Sequence, residues 1–387
     1  MKKEKLLHST KIQQMIAQYK HDMQLVDQLT ADAEPHYEIE QELYKKYEVK
    51  RGLRDLDGKG VRAGLTTISK VSATQIVDGR EVPAAGQLLY RGIPIEQLVQ
   101  GFITHDRFGF EEIVYLLLMG HLPKADQLAQ FKGLLTDYQE LPNHFNSGVI
   151  MKMPSDNIMN TMAKCVLALH AYDPKPDDTS LPNVMRQCIQ LVSQFPSLAV
   201  FGYQASMYFR NDRSMFIQKP DPKLSIAENI LYMMRPDGKY TRLEAKLLDL
   251  CLVLHAEHGG GNNSAFTVHV VSSSGTDTYS TVAAALGSLK GPKHGGANIK
   301  VMEMLEAIKA GVGDWDDDDE VTAFLEKLIR REAGDRSGKI YGMGHAVYTL
   351  SDPRAVILKR HARDLAEKKG YGAEFRLLES VERLTPG

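Results

Sequence analysis

The sequence is poor in cysteine and tryptophan, with three of the first and one of the second in 387 residues. Cys165, Cys188 and Cys251 lie far apart. An odd, sparse set excludes a disulfide framework and a thiolate metal cluster. Their apolar, helical surroundings make them small buried hydrophobes. Long apolar runs are also missing. The longest, IVYLLLM at 113–119, is too short to cross a bilayer. The N-terminal stretch MKKEKLLHSTKIQQM is basic but lacks the apolar core of a signal peptide, so a cytoplasmic location is expected. Nor is there an excess of one charge. Lys and Arg number 47, Asp and Glu 49, and the net charge is −2. This balance makes no case for nucleic acid or a membrane as partner.

What the chain does have is an ordinary globular composition, 43% hydrophobic and 25% charged. Its length accommodates two domains and a sizeable core. Residues 1–50 are polar and helix-compatible, with a break at Pro35. In TQIVDGREV, Asp78-Gly79 sits between β-branched residues, which predicts one small β-hairpin region within 62–91 and little strand elsewhere. From residue 92 the pattern is helical. IEQLVQG and FEEIVYLLLMGHLP each end at glycine, as helices do. A helix within 156–174 has Asp156 or Ser155 as its cap. The next, TRLEAKLLDLCLVLHAEHG, opens with a Thr241/Glu244 capping box. Its apolar face is expected to run through Leu247, Leu248, Cys251, Leu252 and His255 and to end at His258. A further helix begins with Thr276 or Asp277 as cap and has a small-residue side at Ala283, Ala284 and Gly287. The acidic run 313–321 fits a helix start, where the dipole favours carboxylates. There are no βαβ units and no repeats, so the fold class is all-α.

Three histidine stretches stand apart. In LHAEHGGGNN, His255 and His258 are three residues apart, and a zinc-protease helix needs four with a differently placed Glu. No further ligand lies at a suitable spacing. An imidazole where a helix gives way to glycines instead offers a grip for a small polar ligand. In LKGPKHGGANIKV, His294 lies between Gly-Pro and Gly-Gly, with a helix from about Ala297. In GKIYGMGHAVYTLSDPR, glycines precede His345 and an Asp-Pro-Arg turn follows. The glycine spacing lacks the Gly-Lys-Ser/Thr ending of a phosphate loop. Arg354, held in a rigid turn, suits a carboxylate. Three imidazoles and an arginine suit a small di-acid, with imidazole polarising a carbonyl and arginine binding carboxylate.

These three stretches, in this order, resemble the signature segments of the citrate synthase family. The resemblance extends to LLYRGIPIEQL, FEEIVYLLLMGHLP and AENILYMM, and covers residues from about 55 to 387. It implies a helical homodimer with a cleft between two domains that close on substrate. The parts are an N-terminal segment 1–50, a large domain 51–292 and an incomplete small domain 293–387. The implied reaction condenses acetyl-CoA with oxaloacetate, giving citrate and CoA at the entry to the tricarboxylic acid cycle. By match, His294 hydrogen-bonds the nascent enol, whose stabilisation the reaction demands, with the nearby helix start keeping it neutral. His345 polarises the keto group, and His258 and Arg354 hold oxaloacetate. Lys339, Ile340, Tyr341, Gly342 and Gly344 match the CoA-contacting segment. No metal or cofactor is implied, and His255 is read as structural.

The sequence departs from the family at its C-terminal end, where the base, an arginine clamp for oxaloacetate and the closing elements are expected and not found. The family's base, an aspartate downstream of Asp-Pro-Arg, has no counterpart up to Gly387. The 387-residue polypeptide is therefore expected to be inactive or severely impaired, because losing a general base costs orders of magnitude. Two alternatives accompany the main reading. One is a 2-methylcitrate synthase using propionyl-CoA, since one methylene is worth only about 1–3 kcal/mol of discrimination. The other is a non-catalytic homologue that binds CoA or oxaloacetate.

Overall fold

Two adjacent residues with positive φ, Asp78 (51°) and Gly79 (76°), make the tight turn that their sequence predicts. They join β1 (Ser69–Val77) to β2 (Arg80–Tyr90), antiparallel, with Val77 opposite Arg80 and Ser69 opposite Tyr90. A two-residue β3 (Ile93–Pro94) pairs with β2 and completes the one sheet among the described residues. The computed structural model describes residues 66–385 apart from 211, 212, 346 and 349, together with scattered residues before 66. The chain divides into two units, 1–61 and 62–387. In the first, α1 (Gln41–Lys46) has Glu42 in its first turn and Lys45 and Lys46 in its last, as the helix dipole favours. The break expected at Pro35 lies outside the described residues.

The second unit is helical, as the all-α reading requires. After the hairpin come α2 (Ile95–Thr104), α3 (Phe110–Met119), α4 (Ala125–Asp137) and α5 (Ile158–Leu169). The long α6 (Leu181–Arg210), α7 (Ile226–Met234), α8 (Arg242–Leu254), α9 (Asn263–Ser272) and α10 (Thr278–Leu289) follow. The chain continues through α11 (Ala297–Gly311), α12 (Asp318–Ile329), α13 (Pro353–Lys368) and α14 (Gly372–Leu384). Thr241 and Glu244 form the expected capping box of α8. Asp277 is the cap of α10, and the acidic run supplies Asp317 as the cap of α12.

Four local expectations need correction. Helix α2 runs through Gly101 to Thr104, because a helical glycine costs only ~1 kcal/mol and burial of Leu98, Val99 and Phe102 offsets it. The cap of α5 is Asn157, whose side chain accepts from the Asn160 amide at 3.1 Å, while Asp156 pairs with Arg210. Helix α8 stops at Leu254 with His255 as its C-cap, short of His258. Its buried face is Ala245, Asp249, Leu250, Val253 and Leu254, rotated from the expected stripe. The cause is Asp249, which turns inward to accept the Gly109 (2.7 Å) and Phe110 (3.1 Å) amides at the start of α3.

Separate apolar cores organise the unit. Cys165, Val166, Leu198, Phe201, Tyr279 and Leu286 join α5, α6 and α10. Leu88 and Tyr90 of β2 pack with Ile113, Leu116, Val253 and Leu254, fastening the hairpin to α3 and α8. Met304, Ile308, Leu325, Leu328, Leu377 and Val381 form another core from α11, α12 and α14. The cysteines are free, and burial raises each thiol, Cys165 to about 11. That leaves little thiolate at neutral pH. Among the described residues no helix is long and apolar enough to cross a membrane.

Candidate functional site

The end of α8 and the loop before α13 deliver two of the three histidines to one place. The rings of His258 and His345 lie 5.1 Å apart and nearly perpendicular, at 86°. Tyr348 completes a triangle of rings with them, stacked on His345 at 4.7 Å and edge-on to His258 at 5.5 Å. Asp352 caps α13 by accepting the Arg354 amide, and its carboxylate also takes Nε (3.1 Å) and Nη2 (2.7 Å) of that guanidinium. Among the described residues nothing else bonds Arg354 Nη1, which is thus open to a ligand. His255 turns away, its Nδ1 on the Cys251 carbonyl of its own helix at 2.7 Å.

Backbone geometry fixes the chemistry of His345. The amides of Val347 and Tyr348 both donate to its Nδ1, each at 3.1 Å. An imidazole nitrogen that accepts two N–H bonds carries no proton, so the neutral ring bears its proton on Nε2 and presents a donor there. Burial lowers the pKa of His345, and Arg354 adds to the effect against the opposing pull of Asp352. His258 is lowered to about 4, first by burial and then by Arg354 and His345. Its Nε2 is buried with no hydrogen-bond partner among the described residues. Burial also pushes the Tyr348 phenol up to about 12.

The low pKa of His258 carries a stability consequence. Unfolded, the imidazole binds a proton near pH 6.5; folded, it does so only near 4. Between these values the unfolded state holds more protons, so stability present above pH 6.5 is lost as pH falls toward 4. Asp249, raised to about 6 chiefly by burial, acts in the opposite sense between 3.8 and 6. Urea unfolding of the wild type beside His258→Gln isolates the histidine. The wild type is expected to lose stability relative to the variant on acidification, and parallel profiles would contradict this assignment.

His294 occupies a second position, with no hydrogen bond or ring contact to the first group among the described residues. Its Nε2 lies 3.0 Å from Oγ of Ser264, which stands in the first turn of α9, capped by Asn262. The glycines after it answer to close packing. A Cβ on Gly295 would come within 2.7 Å of the Leu289 carbonyl, and one on Gly296 within 2.8 Å of that of Lys290. The chain can thus fold tightly over the end of α10 and present His294 half-buried. Burial lowers its pKa.

The glycine loop before His345 is anchored on the α11–α12–α14 core by Ile340 and Tyr341. The Tyr341 hydroxyl is 2.7 Å from Asp335, and its amide donates to Met304 Sδ. These two side chains are thus committed to the fold. Lys339 is exposed, and Gly342 and Gly344 take positive φ, 86° and 81°, so the segment offers backbone and one cation to a ligand. Ser264 and Tyr348 escaped the sequence reading. The polar NNS triplet at the start of α9 was the available signal for Ser264, and nothing local marked Tyr348.

Comparison with known proteins bears on the family. The family model described as citrate synthase, C-terminal domain, matches residues 53–387. A citrate synthase of Acidithiobacillus ferridurans is 36% identical over 325 residues, covering 81% of this chain and 76% of that protein. A 2-methylcitrate synthase of Shewanella oneidensis is 31% identical over 338 residues, covering 86% and 79%. The crystal structure of citrate synthase from Pyrobaculum aerophilum matches with a TM-score of 0.68 at 28% identity, over 87% of this chain and 78% of that one. With the match spanning the hairpin, the helical cores and all three histidine segments, the chain belongs to the citrate synthase family.

Proposed function

We propose that the site holds oxaloacetate between His258, His345 and Arg354 and condenses it with an acyl-CoA whose thioester lies at His294. This makes the protein an acyltransferase that converts the acyl group to an alkyl group on transfer. The observation that carries the reading is the fixed Nε2–H of His345 beside the unpartnered Nε2 of His258 and a guanidinium. A donor of set direction polarises the keto oxygen, and Arg354 Nη1 meets a carboxylate. At His294, enol stabilisation requires the Ser264 hydroxyl to donate to Nε2, leaving Nδ1–H for the thioester oxygen. Citryl-CoA hydrolysis then releases citrate and CoA. Lys339 and the backbone at Ile340, Tyr341, Gly342 and Gly344 lie along the CoA.

The base for the methyl proton is a separate matter. Of the carboxylates beside these histidines, Asp352 is bound to Arg354, and Glu257 is bound to Ser69 Oγ (2.9 Å) and the Gly259 amide (2.6 Å). Asp352 is committed to Arg354, and the two bonds on Glu257 Oε1 make that carboxylate a weaker base, so turnover by the 387-residue polypeptide is expected to be slow. Thiol release from acetyl-CoA, with and without oxaloacetate, tests the reading. Release is expected to be slow, to require oxaloacetate and to disappear in His294→Ala. Thioester hydrolysis indifferent to oxaloacetate would contradict it. Propionyl-CoA in the same assay addresses the 2-methylcitrate alternative, which the Shewanella oneidensis relative favours.

A homodimer in the cytoplasm completes the proposal. Helix α9 carries Ala265, Phe266, Val268, Val270 and Val271, yet buries no residue within the chain. Val270 is 53% exposed, Leu167 on α5 is 50% exposed, and a Cβ at Gly287 on α10 would touch nothing. An apolar face of this kind supports a second copy as partner. The separate core of α11, α12 and α14 supports a small domain from residue 293, beside a large one at 51–292.

A further inference from the structure

We propose that strand β2 is the template that sets the spacing and angle of the His258 and His345 rings, with Gly86 and Tyr348 as its positioning residues. The inference rests on the oxaloacetate reading of that ring pair. Both histidines follow the end of regular structure, so neither is placed by a helix or strand of its own. One face of β2, residues 86, 88 and 90, reaches both segments. At one end of that face, fully buried Tyr90 places its hydroxyl 3.0 Å from the Val253 carbonyl and 3.1 Å from the Glu257 carbonyl. The Glu257 amide donates to the same oxygen at 3.3 Å. This fixes the residue immediately before His258.

At the other end, Gly86 seats the segment that follows His345. Its amide lies 3.4 Å from Ser351 Oγ, and the Tyr348 hydroxyl lies 3.4 Å from the Gln87 carbonyl. A Cβ on residue 86 would fall 2.2 Å from the Ser351 carbonyl oxygen and 2.5 Å from the Tyr348 ring. The segment can therefore dock only where the strand has no side chain. Tyr348, 5% exposed, then fixes the imidazoles by its contacts with both. Its hydroxyl bond is long and weak, so the ring does the positioning.

Titration with oxaloacetate, together with 15N NMR of the imidazole nitrogens without ligand, tests this on Tyr348→Phe, Tyr348→Leu and Gly86→Ala. Tyr348→Phe keeps the stack and is expected to match the wild type in both readouts. Tyr348→Leu and Gly86→Ala are expected to bind oxaloacetate ~10–100-fold more weakly, as a displacement of about 1 Å costs at a reacting centre. They should also lose the single Nε2–H tautomer of His345, which a residue needed only for packing would leave intact. If Gly86→Ala does not fold, Tyr348→Leu carries the test. Wild-type affinity and tautomer in Tyr348→Leu would overturn the proposal, as would equal losses in Phe and Leu. The tautomer is read without ligand. A wild type that binds no oxaloacetate but shows the Nε2–H tautomer, lost in Tyr348→Leu, would therefore remove the substrate reading and uphold the template.

Discussion

Arg354→Leu is expected to weaken oxaloacetate binding by about 2–5 kcal/mol, a factor of roughly 30 to several thousand. The loss exceeds that of one hydrogen bond because Arg354 does two things. Its Nη1 is the donor left for a substrate carboxylate, while Nε and Nη2 neutralise Asp352. Without the guanidinium, Asp352 faces the substrate dianion uncompensated, and repulsion is added to the missing contact. The helix start survives, since Asp352 still accepts the backbone amide of residue 354. Calorimetric titration measures the affinity, and an unchanged thermal midpoint shows that the fold is retained. Wild-type affinity in the variant would take Arg354 out of the site.

The largest effect on stability is expected far from the histidines. The Asp173 side chain is fully buried and accepts from Arg186 Nη2 (2.7 Å), the Tyr279 hydroxyl (2.6 Å), Gln187 (3.1 Å) and the Lys175 amide (2.8 Å). Burial alone would raise its pKa, but Arg186 and then Tyr279 outweigh it and hold it at about 2. Asp173→Ala leaves a guanidinium and a buried phenol unpaired between α6 and α10. Removing one member of a buried pair costs ~3–5 kcal/mol. The low end applies here, because the Arg186 side chain remains 28% exposed. Urea denaturation of the variant measures the loss. A change below about 1 kcal/mol would mean that water replaces the carboxylate, as at a surface pair.

What the sequence made legible was whatever neighbours decide. Asp78-Gly79, the Thr241/Glu244 box and the acidic start of α12 are set within four residues, and each formed as read. The all-α class followed from such signals, and the resemblance located all three histidine segments. What escaped depends on partners distant in the chain. Asp249 is buried because α3 needs a cap from outside its own sequence, and that partner lies 139–140 residues away. Gly86 and Ser351 meet across 265 residues, and Tyr348 and Gln87 across 261. No local pattern distinguishes Gly86 from any other strand glycine. Ser264 is close to a quoted motif, but its meaning comes from His294 arriving 30 residues later.

Binding of a keto di-acid by His258, His345 and Arg354 is expected whether or not the chain turns over. Titrating oxaloacetate into the folded 387-residue protein, followed by acetyl-CoA, tests it most directly. One oxaloacetate per chain is expected, with acetyl-CoA binding more tightly once it is in place. A folded protein that binds acetyl-CoA but gives no oxaloacetate signal would contradict it.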